Sequence, residues 1–591
     1  MAVPRLMDAH AVSVASQVLG TDDAFATSGL HLRENQIGGT SFRWTKRKTS
    51  FEFAGVGPGP IDLELTARGH RSDVTVVANG AILGVLPVGQ SHFSARAALG
   101  VRDVTVETIT DGFLDHGRTL GTQFDELRVS PVPGPASFAR RAPPRIWLAL
   151  GVLFALSLAL HTYARLFLPV ALLPPALLLA FVLPGGLWRS GWLLEATVGL
   201  AVSVILSALV ARRSVGSGAG RSALAVGLFL AVAVHGVLPP SPVVAQADVQ
   251  MHGHKLGKTA KGDFFPTSRT DHRPPFEIPY GFSFYGTLRP WASDDVANVA
   301  VARQGAAFFS ALSALALGAF LSRVSAPLAA ATLIVWTFAP VNIRTMGFGN
   351  LSNVFAQAVF VLFLVFAGWM GPSRRRTVVL VLLAAVSATA HLSAFIVLLA
   401  LVPVAFLLRA DRAGSAFRPL VGGVVLAGAY YALFLPMVAG QLPRLLAERG
   451  GSGGVFDPWR LPAQIVLGLG WPVLALLGLA LLTSSFRPVL PLARSVALAA
   501  LVLAFAALVS PVEVRFLLAV APVLAVAASA PFDEGDLRSF PRQSLLSIVS
   551  VPVLRALSRP PVRLPVACLL LLAAVLRGIV VLLEFVPLAG V

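Results

Sequence analysis

Runs of about twenty predominantly apolar residues recur from Ile146 almost to the end of this chain, and they constrain its fold more than any other feature. A helix of about 20 residues crosses a hydrocarbon layer of roughly 30 Å, where every peptide group must find its partner inside the helix. The 591-residue chain is 55% hydrophobic and 13% charged, with a mean hydropathy of +0.76, whereas a soluble domain carries roughly a quarter charged residues. These values exclude a soluble enzyme, a fibrous protein and a disordered chain. An integral membrane protein is expected.

The net charge is +18, and 42 of the 47 basic residues are Arg. Such an excess can mark nucleic-acid binding, but these arginines cluster in short connections between apolar runs, so no nucleic-acid partner is expected. Fourteen of the 29 acids precede residue 146, dividing the chain into a polar first quarter and an apolar remainder. The single cysteine, Cys568, allows no disulfide within the chain.

The first quarter alternates with period two from Ser41: Phe42–Thr45, Ser50–Phe53, Ile61–Thr66, Val74–Ala78, Ala81–Pro87, His92–Ala98, Val104–Thr108 and Phe124–Val129. Alternation broken by Gly, Pro and Asp is the mark of antiparallel strands with one buried face. Asn79-Gly80 suits the two positive φ angles of a type I′ hairpin turn. Residues 1–138 are therefore expected to form an all-β sandwich or jelly-roll domain, with 139–145 as a linker. Residues 146–591 then form a polytopic α-helical membrane domain of about 12–14 transmembrane helices. Its least regular segments are Pro169–Leu187, which contains Pro174-Pro175, and Thr377–Arg409, one long helix or two meeting near His391.

Arginines in short loops mark the cytoplasmic side, which assigns Ala211–Arg221, Gly371–Arg376 and Arg409–Arg418 there. Alternation places the long loop 243–298, Asn342–Asn350, His391, Gly440–Pro462 and Pro511–Arg515 outside. It also places the β-domain outside, against Arg140, Arg141 and Arg145 beside the first span and without an export signal in the first thirty residues. Either the Pro-rich second segment does not cross and the β-domain is cytoplasmic, or the natural chain starts upstream of Met1; the second is the expectation, in a bacterial inner (cytoplasmic) membrane.

Polar groups of chemical interest gather in the long loop, which holds three of the five lysines together with Asp248, His252, His254, Asp263, Asp271 and Glu277. Asp248 follows the preceding span by only a few residues, a position that suits a base acting on a lipid-linked substrate. His252-x-His254 with Asp248 offers nitrogen and oxygen donors for a divalent ion such as Mg or Mn. The long first outer loop with its acid, Pro274-Pro275-Phe276, the paired helices ALGAFLSRVSAPLAAATLIVWTFAPVNIR and the late segment VEVRFLLAVAPVLAVAASA resemble the GT-C superfamily of polyprenyl-phosphate-sugar glycosyltransferases. The β-domain, around GTDDAF and SFRWT, is similar to the jelly-roll module that precedes the membrane part of some bacterial members.

The resemblance implies transfer of a sugar from a polyprenyl-phosphate donor to an extracytoplasmic glycan, lipid or protein acceptor, with inversion. It implies Asp248 as the catalytic acid, with Asp263 or Asp271 as a second. A carboxylate takes the acceptor's proton, and cations meet the charge growing on the departing phosphate. Arg344, Arg515, His391 and Lys255 lie on the expected outer side and are candidates for that phosphate, with Lys258 and Lys261 in the same loop. The alternatives are a transporter or flippase of a lipid-linked or small polar substrate, and a non-catalytic glycan-binding scaffold. A transporter is expected to carry an internal repeat and midplane ionisable groups, and no clear repeat is visible. His161, His235, Glu195 and Glu584 read as structural. Trp147, Trp188, Trp192 and Trp291 read as an interfacial belt, and Trp44 as a strand residue that is either core or sugar-stacking.

Overall fold

The computed structural model describes residues 15–18, 26–35, 41–53, 59–99, 104–115, 118–132, 144–164, 171–182, 192–214, 217–240, 248–269, 276–293, 295–408, 416–441, 443, 460–483, 492, 495–496, 498–499, 515–532 and 560–583. An antiparallel β-domain comes first and apolar helices follow.

The strands are β1 (Ala15–Val18), β2 (Ala26–Asn35), β3 (Ser41–Phe53), β4 (Gly59–Arg68), β5 (Val74–Ala78), β6 (Ala81–Leu86), β7 (His92–Leu99), β8 (Val104–Ile109), β9 (Phe113–Asp115), β10 (Arg118–Leu120) and β11 (Gln123–Pro131). One run, β2-β3-β8-β5-β6, joins a second, β1-β11-β4-β7, where Trp44 and Arg43 of β3 pair with Gln123 and Phe124 of β11. Strands β6 and β7 approach each other at the far edge, so the sheet is nearly a barrel. Its interior holds Phe51, Phe53, Leu63, Leu65, Val76 and Phe124. Asn79 (φ 47°) and Gly80 (φ 82°) make the expected turn.

The two expected runs Phe42–Thr45 and Ser50–Phe53 are one thirteen-residue strand. Exposed Lys46, Arg47 and Lys48 hide the alternation between buried Thr45 and Thr49. The period-two pattern also missed β1 and β2, each of which has only one substantial pairing partner among the described residues.

The helices begin with α1 (Pro144–Ala164), α2 (Leu173–Val182), α3 (Trp192–Arg213) and α4 (Gly218–Gly236). Within the long loop lie α5 (Val249–Ala260) and α6 (Ser283–Leu288). Then come α7 (Asp295–Leu321), α8 (Ala326–Phe338), α9 (Pro340–Gly347), α10 (Leu351–Trp369), α11 (Arg374–Ala390) and α12 (Leu392–Leu407). The last are α13 (Phe417–Ala432), α14 (Arg460–Leu469), α15 (Trp471–Thr483), α16 (Arg515–Ala528) and α17 (Pro560–Leu583). Helix α10 is central: 89% of its apolar window is buried inside the protein, against 22% for α1 and α17.

Among the described residues six helices are long and apolar enough to cross a membrane, or eight if the bent pairs Ala326–Phe338 with Pro340–Gly347 (46°) and Phe417–Ala432 with Leu435–Gln441 (61°) each count as one span. That is fewer than the twelve to fourteen expected. Local chemistry accounts for part of the shortfall. The Pro169–Leu187 segment yields only the ten-residue α2. The stretch Thr377–Arg409 is two helices, because His391 adopts an extended conformation (φ −156°, ψ 141°) between α11 and α12. The candidate span near Leu490 falls mostly outside the described residues.

Candidate functional site

The long loop contains a helix. Helix α5 starts at Asp248, whose backbone N–H donates to Phe348 O (3.1 Å), fixing it beside the turn between α9 and α10. At 3.6 residues per turn, positions 248, 252, 255 and 259 share one face. That face turns inward: Asp248 is half-buried, while His252, Lys255 and Thr259 are buried. His254, Lys258 and Lys261 are exposed.

His252 is held at both ring nitrogens. Its Nε2 accepts from Leu351 N–H (3.2 Å), and its Nδ1 lies 2.8 Å from the Tyr285 hydroxyl. Burial, helped by Lys255 and His391, pushes its pKa down to about 3 and keeps it neutral. Burial also pushes the Tyr285 phenol well above its ordinary value.

The Lys255 ammonium lies 3.1 Å from the centre of the Tyr280 ring and has no hydrogen-bond partner. Burial first, then repulsion from Lys258, pulls its pKa down to about 7, against an opposing effect from Asp248. The other neighbour of Tyr280 is His391, edge-on at 5.3 Å between centroids. His391 Nδ1 accepts from Ser393 N–H (3.1 Å) and lies 2.9 Å from Ser393 Oγ, which donates to Asn353 Oδ1 (2.7 Å). The Asn353 Nδ2 atom is buried without a partner. Below it, Asn353, Gln357, Ser387 and Ser393 supply the polar lining of a cavity otherwise walled by apolar side chains. One end of the helix bundle thus gathers a carboxylate, an ammonium, two imidazoles and an aromatic ring.

Side-chain and backbone contacts fasten other described parts of the loop beside this cluster. The short hairpin Thr267–Arg269 with Glu277–Pro279 is clamped by Gln441, whose amide accepts from Glu277 N–H (2.8 Å) and donates to Glu277 O (3.0 Å). Tyr430 donates to Tyr280 O (2.9 Å) and Ser283 to Val386 O (2.7 Å). Gly281 lies so near the end of α11 that an added Cβ would stand 2.3 Å from Thr389 O.

Of the expected site residues, Asp248, Lys255 and His391 come together. Asp263 does not join them. It is exposed beyond the far end of α5, a helix about 18 Å long, where Oδ1 accepts from Phe265 N–H (3.1 Å) in a turn. Asp271 lies outside the described residues. Arg344 is half-buried one turn before Phe348, the residue that receives the Asp248 N–H. Arg515 begins α16 and its side chain is outside the description. One turn further, Leu518 O accepts from Gln357 Nε2 (2.5 Å), which also donates to Asn342 Oδ1 (3.0 Å).

The proposed metal set is not assembled. His252 uses both nitrogens inside the protein, and His254, two residues on, points to the opposite, exposed side of α5. Among the described residues no group of three His, Cys, Asp or Glu side chains is placed to hold an ion. The sequence reading missed Tyr280, Tyr285, Asn353 and Ser393. The one local signal was the density of aromatic and hydroxyl residues in YGFSFYG.

No family model and no curated protein matches this chain. Among solved structures it is similar to the GH26-CBM35 β-(1,4)-mannanase of Podospora anserina, at 18% identity, over 21% of this chain and 29% of that one, with a TM-score of 0.16. It is also similar to the CBM36-1 domain of a multidomain xylanase from the hindgut metagenome of Trinervitermes trinervoides, at 16% identity, over 21% of this chain and 100% of that one, with the same TM-score. This chain thus spans less than a third of the mannanase's length. At that TM-score neither likeness carries an argument.

Proposed function

We propose that the chain is a membrane-embedded glycosyltransferase of GT-C type, drawing on a polyprenyl-phosphate sugar and serving an acceptor outside the bacterial inner membrane. The observation that carries this reading is the shared face of α5: a half-buried carboxylate, Asp248, two turns from the buried, unpartnered ammonium of Lys255. In this reading Asp248 takes the proton from the acceptor hydroxyl. The Lys255 ammonium and the His391 ring receive the phosphate as its charge grows. His252, neutral and doubly held, positions α5 rather than reacting. Arg344 and Arg515 are assigned to the phosphate side, and the β-domain to glycan binding. Trp44, half-buried and edge-on to Phe113 at 5.5 Å, with the Arg71 guanidinium over Phe113 at 4.3 Å, is the surface assigned to the sugar.

The test is sugar transfer in membranes carrying the full chain. Asp248→Asn keeps the shape and removes the base, so turnover should fall roughly 10²- to 10⁴-fold with donor binding little changed. Near-normal transfer by this variant would remove Asp248 from the mechanism. A transporter of a small polar substrate is the second reading, favoured by the cavity that Asn353, Gln357, Ser387 and Ser393 line among apolar side chains. It predicts uptake that survives Asp248→Asn and fails when Asn353 is replaced by Leu.

A further inference from the structure

A second pocket lies away from the cluster just described, between α1, α2, α3 and α4. Ser157, His161, Pro174, Ser207, Ala208 and Ala225 are among its lining residues. Arg212 lies four residues beyond Ala208 on α3, and Arg221 four residues before Ala225 on α4. Residues four apart share a helix face, so both arginines lie one turn beyond the pocket at the same end of the antiparallel helices. The Arg212 guanidinium covers the Tyr163 ring at 3.9 Å. The Arg221 Nε and His161 Nδ1 atoms are buried without hydrogen-bond partners.

Among the described residues no ion pair reaches Arg212, Arg213 or Arg221. The one acid in the four helices, Glu195, lies in the first turn of α3, a helix length from Arg212. Arg212 and Arg213 suit the negative C-terminal end of α3, but Arg221 sits in the first turn of α4, where the helix end is itself positive. A cation there gains nothing from its own helix. The pocket wall beneath is apolar, through Leu160, Val204 and Phe229.

We infer that this pocket binds an anionic phospholipid. Its phosphate would sit between Arg212 and Arg221 over the start of α4, and an acyl chain would lie against the apolar wall. The inference rests on the membrane-embedded reading and is independent of glycosyl transfer.

The experiment is native mass spectrometry of the full chain in a neutral detergent, titrated with phosphatidylglycerol or with phosphatidylcholine of the same acyl chains. Phosphatidylglycerol should bind at least about 10-fold more tightly, as expected for two cations acting on the charged headgroup. Arg212→Gln and Arg221→Gln should each weaken it by about 5-fold without affecting phosphatidylcholine. Arg374→Gln, in a different basic loop, should change nothing. Arg212 is exposed, so its variant tests the idea even where Arg221→Gln fails to fold. Equal binding of the two lipids, or phosphatidylglycerol binding indifferent to Arg212→Gln, overturns the proposal. Displacement of the lipid by inorganic phosphate at matched concentration would overturn the lipid assignment. Release of the chain from membranes by alkaline carbonate would overturn the membrane-embedded reading instead.

Discussion

In the β-domain, cations meet carboxylates across neighbouring strands at the water-facing surface: Arg68 with Asp125 at 2.6 Å, Arg96 with Asp62 at 2.6 Å, Lys48 with Glu107 at 2.8 Å. On α5 the Lys255 ammonium is buried against an aromatic ring with no hydrogen-bond acceptor. Exposed pairs of the first kind are screened by water, contribute little and imply no chemistry. A buried cation without an acceptor is costly to the fold, and perturbed groups of this kind concentrate where a protein binds or reacts. The same residue type therefore means different things in the two regions, and solvent decides which.

Four measurements test that contrast. The largest effect should come from His252→Ala, which strips partners from the buried Tyr285 hydroxyl and the Leu351 N–H. Each group keeps a second partner, the Tyr280 side chain for Tyr285 and the Gly349 carbonyl (2.8 Å) for Leu351, so two lost hydrogen bonds at about 0.5–1.5 kcal/mol each, together with the emptied volume, should lower the thermal unfolding midpoint of the purified chain. An unchanged midpoint would show that the α5 face is not held as described. Next, Lys255→Met should weaken polyprenyl-phosphate binding by about 10- to 100-fold, the value of a charge-assisted contact. Stability should stay level or rise, because an apolar side chain replaces a buried charge. Lost stability with intact binding would make Lys255 structural, like its counterparts in the β-domain.

The third measurement is pH dependence. Burial pulls the Lys255 pKa from 10.5 to about 7. Between those values the unfolded chain holds a proton that the folded chain lacks, so this group's contribution makes stability rise with pH across the window. Phosphate binding should fall over the same range as the folded ammonium deprotonates above about pH 7. His252, pulled from 6.5 to about 3, makes stability fall as pH drops below 6.5. Unfolding midpoints of the wild type and Lys255→Met, compared from pH 7 to 10, should show the steeper rise in the wild type. Parallel curves would remove Lys255 as the cause. The smallest effect should be that of Lys48→Ala in the β-domain, within about 1 kcal/mol by denaturant titration.

How much of this was legible differs along the chain. The β-domain could be read because alternation and the Asn79-Gly80 turn are local signals, and both appear at the expected positions. Asp248 could be singled out because an acid just past an apolar run is conspicuous. The helix it begins could not. Gly253 and Gly257 disfavour a helix by about 1 kcal/mol each, so α5 owes its form to the surfaces it packs on. Without the helix, His252 and His254 looked like a pair of ligands rather than residues on opposite faces. The Asn353–Ser393–His391 chain joins α10 to the start of α12 across forty residues, a distance no local pattern spans. Among the described residues the spans are fewer than expected in part because hydropathy registers apolar length rather than helix length, as at Pro169–Leu187, where only the ten-residue α2 forms.

Gly281 imposes a constraint of another kind. An added Cβ would stand 2.3 Å from Thr389 O and 2.4 Å from the Ala390 carbonyl carbon and oxygen, all of them backbone atoms that no rotamer change can move aside. Every amino acid except glycine would therefore lift the segment carrying Tyr280 off the end of α11, and the Lys255 ammonium would lose the ring beneath it. The fit at this contact is made by an absent side chain, so substitution can only subtract from it. Gly281→Ala, the mildest change available, should speed amide hydrogen exchange across 276–285 while leaving the β-domain's exchange untouched.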